Sequence, residues 1–122
     1  SSRWSREDLW ALKLPVKRAP LDEFKWHLHY PFWSSLPPQP RFDLKPIDVL
    51  EAPHSFPYHY KRVLEADTRY PILVASFHAR LVILDGLHRL AKLCKQESPS
   101  ISFKVIPDTY VKPFQSARAK FP

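Results

Sequence analysis

One stretch constrains the fold of this chain more than any other: Leu81-Val82-Ile83-Leu84-Asp85-Gly86-Leu87-His88-Arg89-Leu90-Ala91-Lys92-Leu93. Its first four residues are apolar without interruption, as in a buried strand. The chain then turns through Asp85-Gly86 and continues with Leu87, Leu90, Ala91 and Leu93 at helical spacing. Gly86 is the only glycine among 122 residues. A strand that passes through a tight glycine turn into a helix aims backbone N–H groups and the positive end of the helix dipole at one point. Such a point suits a phosphate. His88 and Arg89 fall in the first turn of that helix. Arginine offers a planar fork that matches phosphate oxygens.

The flanking sequence supplies further elements. Residues 41–50 read as a first core strand, with Phe42, Leu44, Ile47, Val49 and Leu50 apolar. Residues 51–57 read as a loop. Residues 58–66 read as a two-turn helix with Tyr60, Val63 and Leu64 turned inward. A strand is expected over residues 71–74, a hairpin turn over 76–80 and a strand buried on both faces over 81–84. The helix after Gly86 should run to about Gln96, where Ser98-Pro99-Ser100 ends it. Residues 101–106 alternate in part, as a half-buried strand does. The expected class is α+β, a small mixed sheet flanked by helices. Residues 1–41 form a Pro- and aromatic-rich N-terminal arm, residues 42–110 the core domain and residues 111–122 a C-terminal tail.

Within the arm, residues 1–10 could open a helix, with Ser5 as N-cap. Prolines from Pro15 to Pro57 rule out long helices there. Trp26, Tyr30, Phe32 and Trp33 lie among those prolines. They either anchor the arm on the core or offer a stacking platform.

Composition narrows the function. A net charge of +7 favours polyanionic partners such as nucleotides or nucleic acid. No run of 18 apolar residues is present, so no membrane association is expected. The single cysteine, Cys94, excludes an internal disulfide and a cysteine-based zinc site. With no apolar signal region, the expected location is the cytoplasm. The chain has no methionine, as expected of a fragment or a processed chain. There is no G-x-x-x-x-G-K-[ST], G-x-S-x-G or G-x-G-x-x-G motif.

The segment Ile83-Leu84-Asp85-Gly86-Leu87-His88-Arg89-Leu90-Ala91 resembles the D-G-x-H-R signature of the ParB/sulfiredoxin-like superfamily. The resemblance extends more weakly over residues 42–105, and residues 1–41 are not covered. It implies that Gly86, Leu87, His88 and Arg89 hold the phosphates of ATP or ADP. In the sulfiredoxins, side chains of the first helix also contact ATP, and Arg62 is the matching cation here. Their catalytic cysteine sits just before the His-Arg pair. Leu87 occupies that place, which argues against sulfinic-acid reductase chemistry. In the free serine kinases of the superfamily, a glutamate after the first strand acts as base. Glu51 is the nearest counterpart, with Asp48 next.

Two compatible roles fit Asp85: capping the helix through a backbone N–H, or binding Mg²⁺ beside a nucleotide and orienting His88. His88 can donate to a phosphate oxygen or move a proton. The expected catalytic set is therefore Glu51, His88 and Asp85, with Asp85 as the Mg²⁺ ligand. His54, His59 and Glu51 match no zinc spacing. Three functions compete: an ATP-binding domain that hydrolyses ATP or moves its phosphoryl group to a small acceptor, a ParB-like DNA-binding protein, nuclease or plasmid transfer or partition (fertility inhibition) factor, and a catalytically silent interaction module. Any DNA binding should lack sequence preference, since nothing resembles a recognition helix.

Overall fold

The computed structural model describes residues 13–110. The N-terminal helix expected over residues 1–10 and the tail 111–122 lie outside the described residues. What is described is a small α+β domain built on a four-stranded mixed sheet. Its strands are β1 (Lys17–Pro20), β2 (Ile72–Phe77), β3 (Arg80–Asp85) and β4 (Ser100–Val105). Its helices are α1 (Pro46–Glu51), α2 (Pro57–Glu65) and α3 (Leu87–Lys95). The order across the sheet is β1-β4-β2-β3. β2 and β4 run parallel, while the β1–β4 and β2–β3 pairs are antiparallel.

Parallel strands need a crossover, and here β3 and α3 supply it between β2 and β4. Ile72, Val74 and Ile83 face the larger core with Leu90 and Ala91 of α3. Leu73 and Ala75 of the same strand face a smaller cluster with Ile106. β2 is therefore buried on both sides, which explains its run of apolar residues. The expected hairpin joins β2 to β3 through His78 and Ala79, which both have positive φ (51° and 60°). That backbone suits a tight two-residue hairpin.

The expected strand over residues 41–50 is not present. Leu44 makes only an isolated bridge to Trp33, and the chain then enters α1 at Pro46. Proline in the first helical turn has its φ already set for a helix and loses no hydrogen bond there. Asp48 adds an acid near the positive helix end. The apolar residues then recur at helical spacing, with Pro46 and Val49 buried and Ile47 and Leu50 partly so. In α2, His59 and Val63, four residues apart, are buried, and Tyr60 packs partly buried against the core. Leu64, expected inside, is 48% exposed.

Residues 13–41 take part in the sheet and the core. β1 pairs along β4 from Lys17↔Phe103 to Pro20↔Ser100. Pro20, with no N–H to give, sits on this edge strand. Two 3-10 helices follow, Leu21–Glu23 and Lys25–His29. They carry Leu21, Phe24, His27 and Leu28 into the interior, and Phe32 and Trp33 are buried beyond them. Of the two roles considered for the aromatics, packing holds for Phe32 and Trp33.

His27 is 0% exposed. Its Nδ1–H donates to the Phe24 carbonyl at 2.8 Å, and its Nε2 accepts the Ile83 N–H at 3.0 Å. The Phe24 oxygen can only accept, so His27 is held as the neutral Nδ1–H tautomer. β3 is an edge strand, and an open edge invites pairing with other chains. His27 covers one amide of that edge. Trp26 stacks on its ring at 3.7 Å, and the Arg80 guanidinium lies 4.1 Å over Trp26. His27→Phe keeps an aromatic ring and strands the buried Ile83 N–H. It should cost about 1–3 kcal/mol in a denaturant titration. An unchanged midpoint and slope would remove this bond from the account.

Candidate functional site

β3 ends at Asp85, Gly86 adopts φ 116° and α3 begins at Leu87. Two constraints require glycine here. Side chains rarely tolerate that φ. A Cβ would also lie 2.5 Å from Ile72 Cγ2 and 3.0 Å from Ile72 Cβ. The turn therefore presses directly on the first residue of β2. Gly86 is the N-cap of α3, and its carbonyl accepts the Leu90 N–H at 2.9 Å. Asp85, considered as a cap, is the last residue of β3 instead.

A cleft of about 340 Å³ opens at this turn. One wall carries Asp85, Gly86, His88 and Arg89, and the other carries Arg62 and Glu65 of α2. Ala66, Asp67 and Tyr70, which follow α2, complete it. Five residues expected at a site thus come together: Arg62, Asp85, Gly86, His88 and Arg89. Leu87 packs against the core. Glu51 is exposed at the end of α1 and Asp48 lies in the first turn of α1. Neither belongs to the cleft wall.

The charged groups differ in how firmly they are held. Arg89 donates through Nη1 to the Pro71 carbonyl at 2.8 Å, and its Nη2 lies 3.7 Å from Asp85 Oδ2. Those side chains are only 16% and 18% exposed. Arg89 thus ties α3 to the residue before β2. Arg62 is exposed and donates to the Tyr58 hydroxyl at 3.2 Å. Asp67 is gripped by Arg69 through bonds of 2.7 to 3.2 Å, which hold its carboxyl down at about 2. The wall therefore mixes two guanidinium groups with three carboxylates. Among the described residues, no group of three or more His, Cys, Asp or Glu side chains could hold a metal ion.

Behind the cleft wall lies a chain of hydrogen bonds. His59 Nε2–H donates to the Ser34 carbonyl at 2.7 Å. His59 Nδ1 lies 3.2 Å from His88 Nε2. The Ser34 oxygen requires the proton on His59 Nε2, so in the neutral pair His59 Nδ1 accepts and His88 Nε2–H donates. Trp33 lies flat against both imidazoles, 4.7 Å from His59 and 4.2 Å from His88, with rings within 9° of parallel. Burial, then the nearby Arg62 charge and His59, pushes the His88 pKa down to about 3. Burial also lowers His59. His88 is thus a neutral ring at pH 7 whose Nε2–H is already engaged.

Glu65, Asp67 and Tyr70 carry no signal in the sequence reading, Trp33 enters it only as an anchor or stacking platform of the arm, and His59 only as a metal ligand or helix side chain. No spacing in the sequence could have paired His59 with His88, because the contact spans 29 residues. The chain matches no protein-family model, no curated protein and no solved structure. No helix among the described residues is long and apolar enough to cross a membrane.

The two histidines imply a pH dependence of stability. Both have folded pKa values below the ordinary 6.5, so the folded state resists the proton that the unfolded chain accepts. Their contribution is complete above about 6.5 and declines as pH falls towards about 3. The unfolding midpoint should drop between pH 7 and 4.5, before most carboxylates titrate. A midpoint that stays level or rises over that range would contradict the burial of the pair.

Proposed function

We propose that this chain is a nucleotide-binding domain of the ParB/sulfiredoxin-like kind, which holds the phosphates of ATP or ADP at the N-terminus of α3. The observation that carries this is the Gly86 turn: it opens the free end of a nine-residue helix onto a cleft with Arg62 and Arg89 in its walls. The first N–H groups of a helix have no partner within it, and their dipole favours an anion. The cleft volume of about 340 Å³ falls at the small end of the ~300–1,000 Å³ common for ligand sites. It suits the phosphates with the remainder of the nucleotide extending outward.

The carboxylates beside this position would repel a bare phosphate. Mg²⁺ relieves that repulsion, and it is commonly held by one or two carboxylates together with phosphate oxygens. Asp85 has the chemistry and the place for that role. The cleft does not need a complete metal cage of its own.

Hydrolysis of ATP, or transfer of its phosphoryl group to a small acceptor, is the chemistry such a site would perform. It would draw its carboxylate from the cleft itself. Glu65 stands there, whereas Glu51 belongs to another helix. His88 would not serve as a cationic phosphate ligand, because it is neutral. Arg62, exposed in the cleft wall, is better placed to do so than Arg89, which the Pro71 carbonyl and Asp85 hold.

Isothermal titration with ADP and Mg²⁺ tests this reading. The chain should bind ADP, and Arg62→Ala should weaken binding about tenfold or more, as for loss of a hydrogen bond to a charged group. Absence of binding rejects the nucleotide. Equal affinity of the variant rejects Arg62 as its ligand.

A further inference from the structure

We propose that His59 is a positioning residue that presents the Nδ1 lone pair of His88 to the cleft, so that the preferred ligand is a phosphate ester carrying a neighbouring hydroxyl. This rests on the phosphate reading above and adds the second recognition element. The Ser34 carbonyl fixes the His59 proton on Nε2, and His59 then fixes the His88 proton on Nε2. No other neutral arrangement satisfies both bonds. The opposite ring edge of His88 carries Nδ1 as an acceptor, and no bond from a described residue to that atom is present. His88 belongs to the cleft wall.

The groups around the ring decide which donor it takes. Trp33 covers one face of both imidazoles and keeps them coplanar, within 14°. Arg62, on α2 across the cleft, places a positive charge near His88. A hydroxyl is a neutral donor, which neither Arg62 nor the carboxylates repel, and it can donate to Nδ1 while the phosphate lies against the end of α3. The carboxylates of Asp85, Glu65 and Asp67 line the same cleft but cannot donate when ionised. His88 would thus read the alcohol part of the ligand, and the helix end with Arg62 its phosphate.

Two measurements on the full chain test this. The first is the ¹⁵N signature of the His88 ring at pH 7, free of ligand. A protonated Nε2 with an unprotonated Nδ1 is expected. His59→Phe should shift that signature towards the Nδ1–H form. A wild-type His88 that is charged, or that already carries its proton on Nδ1, overturns the inference. The second is titration, with Mg²⁺ present, with glycerol 3-phosphate and with propyl phosphate, which has the same length and lacks the hydroxyls. The wild type should prefer glycerol 3-phosphate by about three- to tenfold, the worth of one neutral hydrogen bond. Equal affinity for the two esters overturns the hydroxyl inference and leaves the phosphate reading standing. Binding of neither ester overturns the phosphate reading and this inference with it.

Discussion

The contact between Gly86 and Ile72 governs how the rest of the domain is arranged. With 2.5 Å between a would-be Cβ and Ile72 Cγ2, the backbone of the turn lies directly on the first residue of β2. That closeness lets α3 leave β3 at once and lay Leu90 and Ala91 against the core. It also leaves the helix end facing outward beside α2. Arg89 reinforces the same junction by bonding the Pro71 carbonyl, with its Nη1 3.3 Å from the would-be Cβ. A larger residue at position 86 would have to push the turn off β2, and the cleft would change with it.

The sheet is completed by a part of the chain that carries none of the motif. β1, the two 3-10 helices and the aromatics up to Trp33 close the edge next to β4 and fill the core beneath α1 and α3. His27 does the corresponding work at the opposite edge, where β3 would otherwise offer the Ile83 N–H to solvent or to another chain. The site depends on this segment too. Trp33 and the Ser34 carbonyl hold the His59–His88 pair in place. A Pro-rich region with little regular structure thus sets, through His59, the tautomer of a cleft residue.

Much of this was legible in the sequence, for identifiable reasons. Long apolar runs and a glycine turn marked β2, β3 and α3, because burial on both faces and a positive φ leave strong local traces. α2 and β4 followed from periodicity. Residues 46–51 misled, since Ile47, Val49 and Leu50 read as a strand until Pro46 is recognised as a helix start. The mistaken strand also put Glu51 beside the site. Arg62, Asp85, Gly86, His88 and Arg89 do share the cleft, four of them because they are near neighbours in one turn and Arg62 because α2 packs beside it. The His59–His88 bond and the Trp33 stacking are long-range contacts, which local patterns do not encode.

The proposed nucleotide site sets phosphate against the turn at Gly86. Amide chemical shifts followed during titration with ADP and Mg²⁺ test it most directly, because the N–H groups at a helix end are the proposed ligands. The largest shifts should fall on Gly86, Leu87, His88 and Arg89, with the Arg62 side chain responding in parallel. Shifts centred on another part of the domain, with these amides unmoved at saturation, would contradict it.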